Sequence, residues 1–141
     1  MINRQTVLDI AKRNNEPSWL VERRLRAYEQ FEHLSIPSFS FDNVNPLDSH
    51  DETVMSPVNG VVILSFQDAM RQHEDILKKH LLMCVKPENK FAALHEAVFT
   101  YGTLVYIPKD TKALQPIKIT LHSHSQTCMG HVLVVAEKGS S

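Results

Sequence analysis

The change of pattern within residues 91–108 constrains the fold of this chain more than any other feature. Apolar residues recur at spacings of three and four from Phe91 to Val98, which predicts a short helix with one buried stripe. Gly102 then interrupts the helical pattern, and Thr103 to Ile107 are β-branched, aromatic or aliphatic, which predicts a strand. Pro108 lacks a backbone donor and is expected to end that strand. The sequence therefore predicts mostly helix and loop before Phe91, and mostly strand and turn after Gly102.

Composition excludes several classes of protein. The 141 residues are 43% apolar and 22% charged with a formal net charge of −1, as expected for a soluble globular domain. This balance gives no reason to expect nucleic acid or a membrane surface as a partner. Two cysteines are too few for a disulfide framework, and no apolar run approaches the ~20 residues of a membrane span. We therefore expect a cytoplasmic protein with reduced thiols, in which Cys84 is a small core residue.

The chain divides into four segments. Residues 1–35 form an N-terminal helical segment, with a weak helix over Gln5 to Asn14 and a stronger helix after Pro17. Residues 36–59 are a linker rich in Pro, Asn and Asp, and a linker of this length favours a separate N-terminal appendage. Residues 60–101 form an αβ segment, and residues 102–141 contain strands. Arg23 and Arg24 stand among glutamates, which favours a solvated helix face.

Two strings in this sequence resemble the SufB/SufD family, the scaffold proteins of the Suf iron–sulphur cluster assembly system. The first is EPSWLVERRLRAYEQFEHLSIP and the second is NKFAALHEAVFTYGTLVYIPKDTKALQPIKI. The second string is specific because it combines glycine, prolines and aromatic residues in one order. The matching positions are Glu16, Pro17, Trp19, Leu20, Arg24, Ala27, Pro37, Asn89, Lys90, Phe91, Ala93, Leu94, Gly102, Tyr106, Pro108 and Pro116.

The resemblance implies an α+β fold: an N-terminal helical segment followed by the first coils of a right-handed parallel β-helix, truncated relative to the family. It implies a scaffold rather than an enzyme, and no catalytic or cofactor-binding residue carries over to this chain. The implied partners are a SufB-type or SufD-type subunit and the Suf ABC-type ATPase, and the family context is an iron–sulphur cluster. Within the family, we lean towards the SufD type or an archaeal-like mixed member, without a decisive residue. A fragment, a split gene and a natural short protein all fit this sequence.

An open last coil would present an unpaired strand edge, so we also expect the chain to self-associate through it.

The string LHSHSQTCMGH contains the only candidate metal ligands, His122, His124, Cys128 and His131. His122 and His124 are two residues apart on a predicted strand, so they share one face, and imidazole and thiolate are ligands for zinc or iron. The simpler interpretation is that both histidines continue an exposed face begun by Lys118 and Thr120, and we assign no metal on this pattern alone.

The alternative function is a small metal-dependent, cupin-like β-rich protein that uses the His122/His124 pair. Pro116 and Ile117 stand where the cupin pattern wants a glycine, and Cys128 stands near the place of its glutamate. Of the remaining residues, we expect His95 on the wetter side of its helix and Trp19 in the core or in an intramolecular contact.

Overall fold

The computed structural model describes residues 2–35, 45–48, 52–124 and 129–141. Within these ranges the chain forms five α-helices, a short 3₁₀ turn at Pro46–Asp48 and five strands. The helices are α1 (Arg4–Arg13), α2 (Ser18–His33), α3 (Phe66–Gln72), α4 (Glu74–His80) and α5 (Lys90–Val98). The strands are β1 (Glu52–Met55), β2 (Val62–Ser65), β3 (Tyr101–Ile107), β4 (Ile119–His122) and β5 (Gly130–Ala136).

Short polar side chains cap three of the helices. Asn3 accepts a hydrogen bond from the Thr6 amide at the start of α1, and Asn89 accepts one from the Ala92 amide at the start of α5. Ser65 accepts from the Asp68 amide at the start of α3, as the Ser-x-x-Asp spacing predicts. Each cap satisfies an amide that the first helical turn would otherwise leave unpaired.

The N-terminal helices pack against the centre of the chain. Their buried side chains meet those of α5 in a single core, which includes Ile2, Val7, Ile10, Ala27, Tyr28, Phe31, Ala93, Leu94, Ala97 and Val98. The expected separate appendage is therefore wrong. A helix with a continuous apolar stripe needs a surface on which to bury it, and α5 supplies that surface.

The segment predicted as a linker contains a strand. β1 (Glu52–Met55) pairs antiparallel with β4, with Thr53 opposite Leu121 and Val54 opposite Thr120. The proline and asparagine content of this segment indicates a loop. A strand of only four residues is too short for its alternation of apolar and polar side chains to be recognised. The rest of the predicted linker lies partly outside the described residues.

The second sheet has the strand order β2-β3-β5 among the described residues. β2 runs antiparallel to β3, whereas β5 runs parallel to β3, with Tyr101 opposite Gly130 and Ile107 opposite Ala136. One face of this sheet covers a second core, formed with α2, α3, α4 and the α4–α5 connection. Its buried members are Leu20, Phe66, Ala69, Leu77, Leu81, Leu82, Phe99, Leu104, Leu133 and Val135.

The parallel pairing continues beyond β3 and β5. Throughout the two strands each residue pairs with the residue 29 positions later. After the strands, the Asp110 amide donates to Lys138 O, the Ser141 amide donates to Thr111 O, and the Ala113 amide donates to Ser141 O. Asp110 and Gly139 hold the same place in the two segments, and both have positive φ angles, 57° and 78°. Residues 101–113 and 130–141 therefore lie side by side in register, including the left-handed corner; we call this pair of segments the stack.

β5 is buried on one side only. Leu133 and Val135 are buried, whereas Val132 and Val134 are 39% and 59% exposed. The near-continuous apolar run of residues 131–136 predicts a strand buried on both faces, but only one face of β5 is covered. Apolar composition alone does not show which face of a strand is covered, because every second side chain points the other way.

Candidate functional site

The candidate metal ligands do not converge in the described part of the chain. His122 ends β4 and His124 follows it, and both side chains are exposed. Cys128 lies outside the described residues, while His131 is half-buried in β5. Over residues 2–35, 45–48, 52–124 and 129–141, no three His, Cys, Asp or Glu side chains are placed to share a metal ion. The cupin-like alternative therefore gains no support from this geometry.

His131 packs against His95 instead. The two ring centroids lie 5.3 Å apart, and the rings of Phe66 and Phe99 lie 5.9 Å from that of His131. His95 Nε2 is 3.1 Å from the carbonyl oxygen of Gly130. Because a carbonyl only accepts, the hydrogen of neutral His95 belongs on Nε2. His95 is thus half-buried and joins α5 to β5, so its expected position on the wetter side of the helix was wrong.

Both histidines are held in the neutral form. Burial, followed by the nearby His95 and Arg23, lowers the pKa of His131 to about 4. Burial also lowers the pKa of His95, and the Arg24 guanidinium acts in the same direction, while Glu96 opposes it. Two neutral imidazoles can stack between aromatic rings in a place where two cations would repel each other.

Arg24 is fully buried beneath this histidine pair. Its Nε and Nη2 donate to the two carboxylate oxygens of Glu16 at 2.6 and 2.7 Å, and its Nη1 donates to Ala97 O at 3.1 Å. The guanidinium carbon lies 3.8 Å from the centroid of the Phe99 ring. One side chain therefore pairs a buried carboxylate, satisfies a carbonyl in the last turn of α5 and stacks on an aromatic face.

The neighbouring arginine is also engaged. Arg23 Nε donates to Glu96 Oε1 at 2.7 Å, and its Nη2 donates to Leu82 O at 3.0 Å. The predicted solvated face for Arg23 and Arg24 is therefore wrong. A signal was present in the sequence, because Leu20, Arg24, Ala27 and Phe31 follow the helical spacing, so Arg24 occupies a position in the apolar stripe.

We name Glu16, Arg24, His95, Phe99 and His131 the junction cluster. It connects the start of α2, the end of α5 and β5, and its charged members are paired with each other. Trp19 extends it by donating from Nε1 to Glu74 Oε1 at 2.8 Å, which ties α2 to α4. The junction cluster contains neither a hydroxyl nor a thiol, so its chemistry suits orientation of the helices on the sheet rather than nucleophilic attack.

Cys84 is exposed with a free thiol, which corrects its predicted place in the core. It follows Leu81 and Leu82, which are the buried residues of this connection. The apolar run continued through Val85, and its pattern did not show where the buried part ended.

Among the described residues, helices pack against one face of the β2-β3-β5 sheet. The junction cluster joins these helices to β5. None of the described helices has both the length and the apolar character needed to cross a membrane. A family model for the SufBD protein N-terminal region matches residues 47–119, just over half of the chain. The chain belongs to the SufBD family.

Curated relatives match almost the whole chain. An iron–sulphur cluster assembly SufBD family protein of Porphyra purpurea is 26% identical over 99% of this chain, and one of Arabidopsis thaliana is 27% identical over 99%. The iron–sulphur cluster assembly protein SufD of Bacillus subtilis is 26% identical, also over 99%. These matches cover 41%, 44% and 44% of the relatives, so the chain spans about two fifths of their length.

The relatives also carry internal residues that this chain lacks. The match to the Porphyra purpurea protein extends over 201 positions, against 141 residues here, so about 60 positions have no counterpart. This chain therefore joins its matching parts by shorter connections than that relative does.

The residues that carried the family resemblance have clear structural roles. Glu16 and Arg24 form the buried ion pair, and Leu20 is buried in the second core. Gly102 lies so close to the Phe66 ring that a Cβ at this position would overlap it. These matching residues thus fix how the helices pack against the strands.

Proposed function

We propose that this chain acts as part of an iron–sulphur cluster assembly scaffold, and that its role is protein–protein contact rather than catalysis. Membership of the SufBD family supports the assembly context. The junction cluster supports the scaffold role, because Arg24 joins α2 to α5 and His95 joins α5 to β5. In this proposal the cluster is cargo of the assembled complex and not a cofactor of this chain.

The observation that carries the proposal is the constant 29-residue offset between the two segments of the stack. A coiled architecture requires successive turns of the chain to repeat both strands and corners in register. The repeated left-handed corner at Asp110 and Gly139 fits that requirement. We therefore propose that residues 102–141 are the first coils of a right-handed parallel β-helix, with the helical layer at one side.

The proposed partners are a SufB-type or SufD-type subunit and the Suf ABC-type ATPase, and the proposed location is the cytoplasm. The matching Bacillus subtilis proteins are named SufD and SufB. The chain is 26% identical to SufD and 21% identical to SufB. This small difference is in keeping with the SufD type without separating the two.

Co-expression with a SufB-type subunit and the Suf ATPase tests this proposal. We expect the chain to co-elute with them in size-exclusion chromatography. Val134→Lys places a charge on the exposed side of the stack and should reduce co-elution, whereas Leu114→Lys, at a residue that is 89% exposed outside the stack, should not. Failure of the wild-type chain to enter any complex would refute the scaffold role.

Self-association through β5 is a further part of the proposal. Glu137 and Ser141 direct their amides towards the first segment of the stack. The even-numbered residues Val132, Val134 and Ala136 therefore direct theirs towards the opposite edge of β5, which no described strand occupies. The strand GHVLVVA contains neither proline nor a lysine to protect that edge. Val134→Pro should therefore abolish dimers while leaving the pairing with β3 intact. A wild-type chain that remains monomeric at high concentration in light scattering would contradict this part.

A further inference from the structure

We propose that a cleft at one corner of the stack binds an extended segment of a partner protein as an added strand. The cleft has a volume of about 600 Å³ and lies between residues 57–61 and residues 112–115. We call it the corner cleft. It lies on the side of β2, whereas β5 lies on the opposite side of β3. The proposal therefore concerns another side of the stack than the edge of β5, and it does not depend on the scaffold role.

Two connections of unequal length open the corner cleft. β1 pairs with β4 and β2 pairs with β3, so the β1–β2 connection runs alongside the β3–β4 connection. The first has six residues and the second has eleven. At one end the Ser56 amide donates to Lys118 O at 3.3 Å. At the other end a Cβ on Gly60 would lie only 3.0 Å from Thr111 Cγ2. The longer connection therefore bows outward between these two contacts and leaves a preformed gap.

The longer connection presents unpaired backbone groups to this gap. On its stack side, the Ser141 amide donates to Thr111 O, and the Ala113 amide donates to Ser141 O. In an extended chain, the residue between two such partners directs its own amide and carbonyl the opposite way, so those of Lys112 face the corner cleft. Among the described residues, the amides of Lys112 and Leu114 have no hydrogen-bond partner. An incoming extended segment can pair with them, just as the second segment of the stack pairs on the other side.

The lining of the corner cleft is largely apolar with a few polar groups, which is typical of binding sites. Its apolar residues are Pro57, Val58, Val61 and Leu114. Leu114 is 89% exposed, so a bound segment would cover apolar surface that water now contacts. The carboxamides of Asn59 and Gln115 also line the cleft and have no partner in the described part of the chain. Each can both donate to and accept from a peptide group.

Charge selects the kind of segment. Lys112 is the only charged residue among the described residues that line the corner cleft, and no described side chain forms an ion pair with it. The sequence contains no Asp or Glu over residues 53–67 or residues 111–136. Asp110, the nearest acid along the chain, lies against Gly139 in the stack and does not line the cleft. A carboxylate on the bound segment would therefore meet Lys112 without a competing acid in the lining.

These features together describe an extended segment that carries apolar side chains beside a carboxylate. In this mode of recognition, pairing of the main chains supplies affinity, and the side-chain contacts supply selectivity. Because the walls are already held apart by the sheet pairing at both ends, the chain loses little conformational entropy on binding.

A fluorescently labelled peptide with the sequence Thr-Val-Glu-Val-Thr provides the probe, and fluorescence anisotropy with the full chain measures its binding. The same peptide with N-methylated backbone amides cannot donate to the wall of the cleft, and we expect it to bind about tenfold more weakly. The peptide with Lys in place of Glu should bind about fivefold more weakly, because its charge repels Lys112. Equal binding of the N-methylated peptide would overturn the proposal, and so would absence of binding by the acidic peptide.

Two variants test the lining of the cleft. Leu114→Ser should weaken binding of the acidic peptide about fivefold, because it removes apolar surface. Lys112→Glu should reverse the preference between the acidic and the basic peptide. The matched controls Val85→Ser, at a residue that is 56% exposed on the helical layer, and Lys86→Glu should bind as wild type does. Wild-type binding by Leu114→Ser would contradict the proposed site.

Amide hydrogen exchange provides a readout that non-specific binding would not change. The amides of Lys112 and Leu114 should exchange more slowly when the acidic peptide is bound, whereas the Ala113 amide, which already donates to Ser141 O, should not change. Unchanged exchange at both positions would refute strand addition. Leu114→Lys should lose the peptide and still co-elute with the SufB-type subunit, so this proposal and the scaffold role fail separately.

Discussion

The helical layer and the stack reach a defined geometry by different physical means. Between α2, α5 and β5, orientation depends on a buried ion pair, an arginine–aromatic contact and two neutral histidines. In the stack, orientation depends on backbone pairing with a constant offset and on glycine at the places where a side chain would not fit. Apolar packing alone tolerates sliding of one helix on another, whereas directional groups do not. Side-chain pairing thus fixes the helical layer, whereas backbone pairing fixes the stack.

The largest expected effect concerns the helical layer. Arg24→Ala leaves the buried Glu16 carboxylate without its guanidinium partner, and removal of one member of a buried pair costs ~3–5 kcal/mol of unfolding free energy. Urea denaturation measures this loss. Arg26→Ala, on the exposed side of the same helix, should change stability by less than ~0.5 kcal/mol. A stable Arg24→Ala protein would mean that packing alone orients α2.

A smaller effect is expected where the stack meets α3. Gly102→Ala introduces a Cβ that overlaps the buried Phe66 ring, and overpacking of a core costs ~1–3 kcal/mol. The same denaturation experiment measures it. Gly102→Ala combined with Phe66→Leu should lose less than the two single losses added together, because the smaller side chain makes room. Strict additivity would show that the two sites are independent, contrary to the structure.

The pH dependence of stability probes the contact between the two regions. The pKa of His131 is lowered to about 4 in the folded chain, against 6.5 ordinarily, so the unfolded chain takes up the proton first. The contribution of His131 to the free energy of unfolding is therefore fully present above about pH 6.5 and is lost as the pH drops towards 4. After allowance for solvent screening at this half-exposed site, we expect a loss of ~1 kcal/mol at pH 5.

His131→Gln should remove this part of the pH dependence, while His124→Gln, at an exposed position, should keep it. Denaturation curves at pH 7 and pH 5 measure the difference. Identical pH profiles for wild type and His131→Gln would contradict the assignment.

The smallest expected effect is a gain. Thr103 is fully buried in β3, and its hydroxyl has no hydrogen-bond partner among the described residues. Thr103→Val keeps the shape and removes the unsatisfied hydroxyl, so stability should rise by up to ~1 kcal/mol. Thr53→Val on the half-exposed β1 serves as the control. A loss of stability at position 103 would indicate a partner for the hydroxyl.

Sequence reasoning found most elements of this fold, because their signals are local. The helical spacing and caps place α1, α2, α3 and α5, and alternation places β3 and β4, each within a few residues of the observed bounds. β1 was missed because four residues are too few to show the alternation of apolar and polar residues that predicts a strand. The burial of His95 was missed because the Gly130 carbonyl that it contacts lies far along the chain. The burial of Arg24 was missed although its position in the apolar stripe of α2 gave a local signal.

By itself, the sequence determined the helical and strand periods, the break at Gly102 and the family to which the chain belongs. The tertiary structure alone decided what the buried polar groups contact: Arg24 pairs with Glu16 and donates to the Ala97 carbonyl, and His95 lies beside the Gly130 carbonyl. It also decided the 29-residue register of the stack. Periodicity depends on neighbouring residues, whereas burial and register depend on contacts between residues far apart along the chain, and these exist only once the chain has folded.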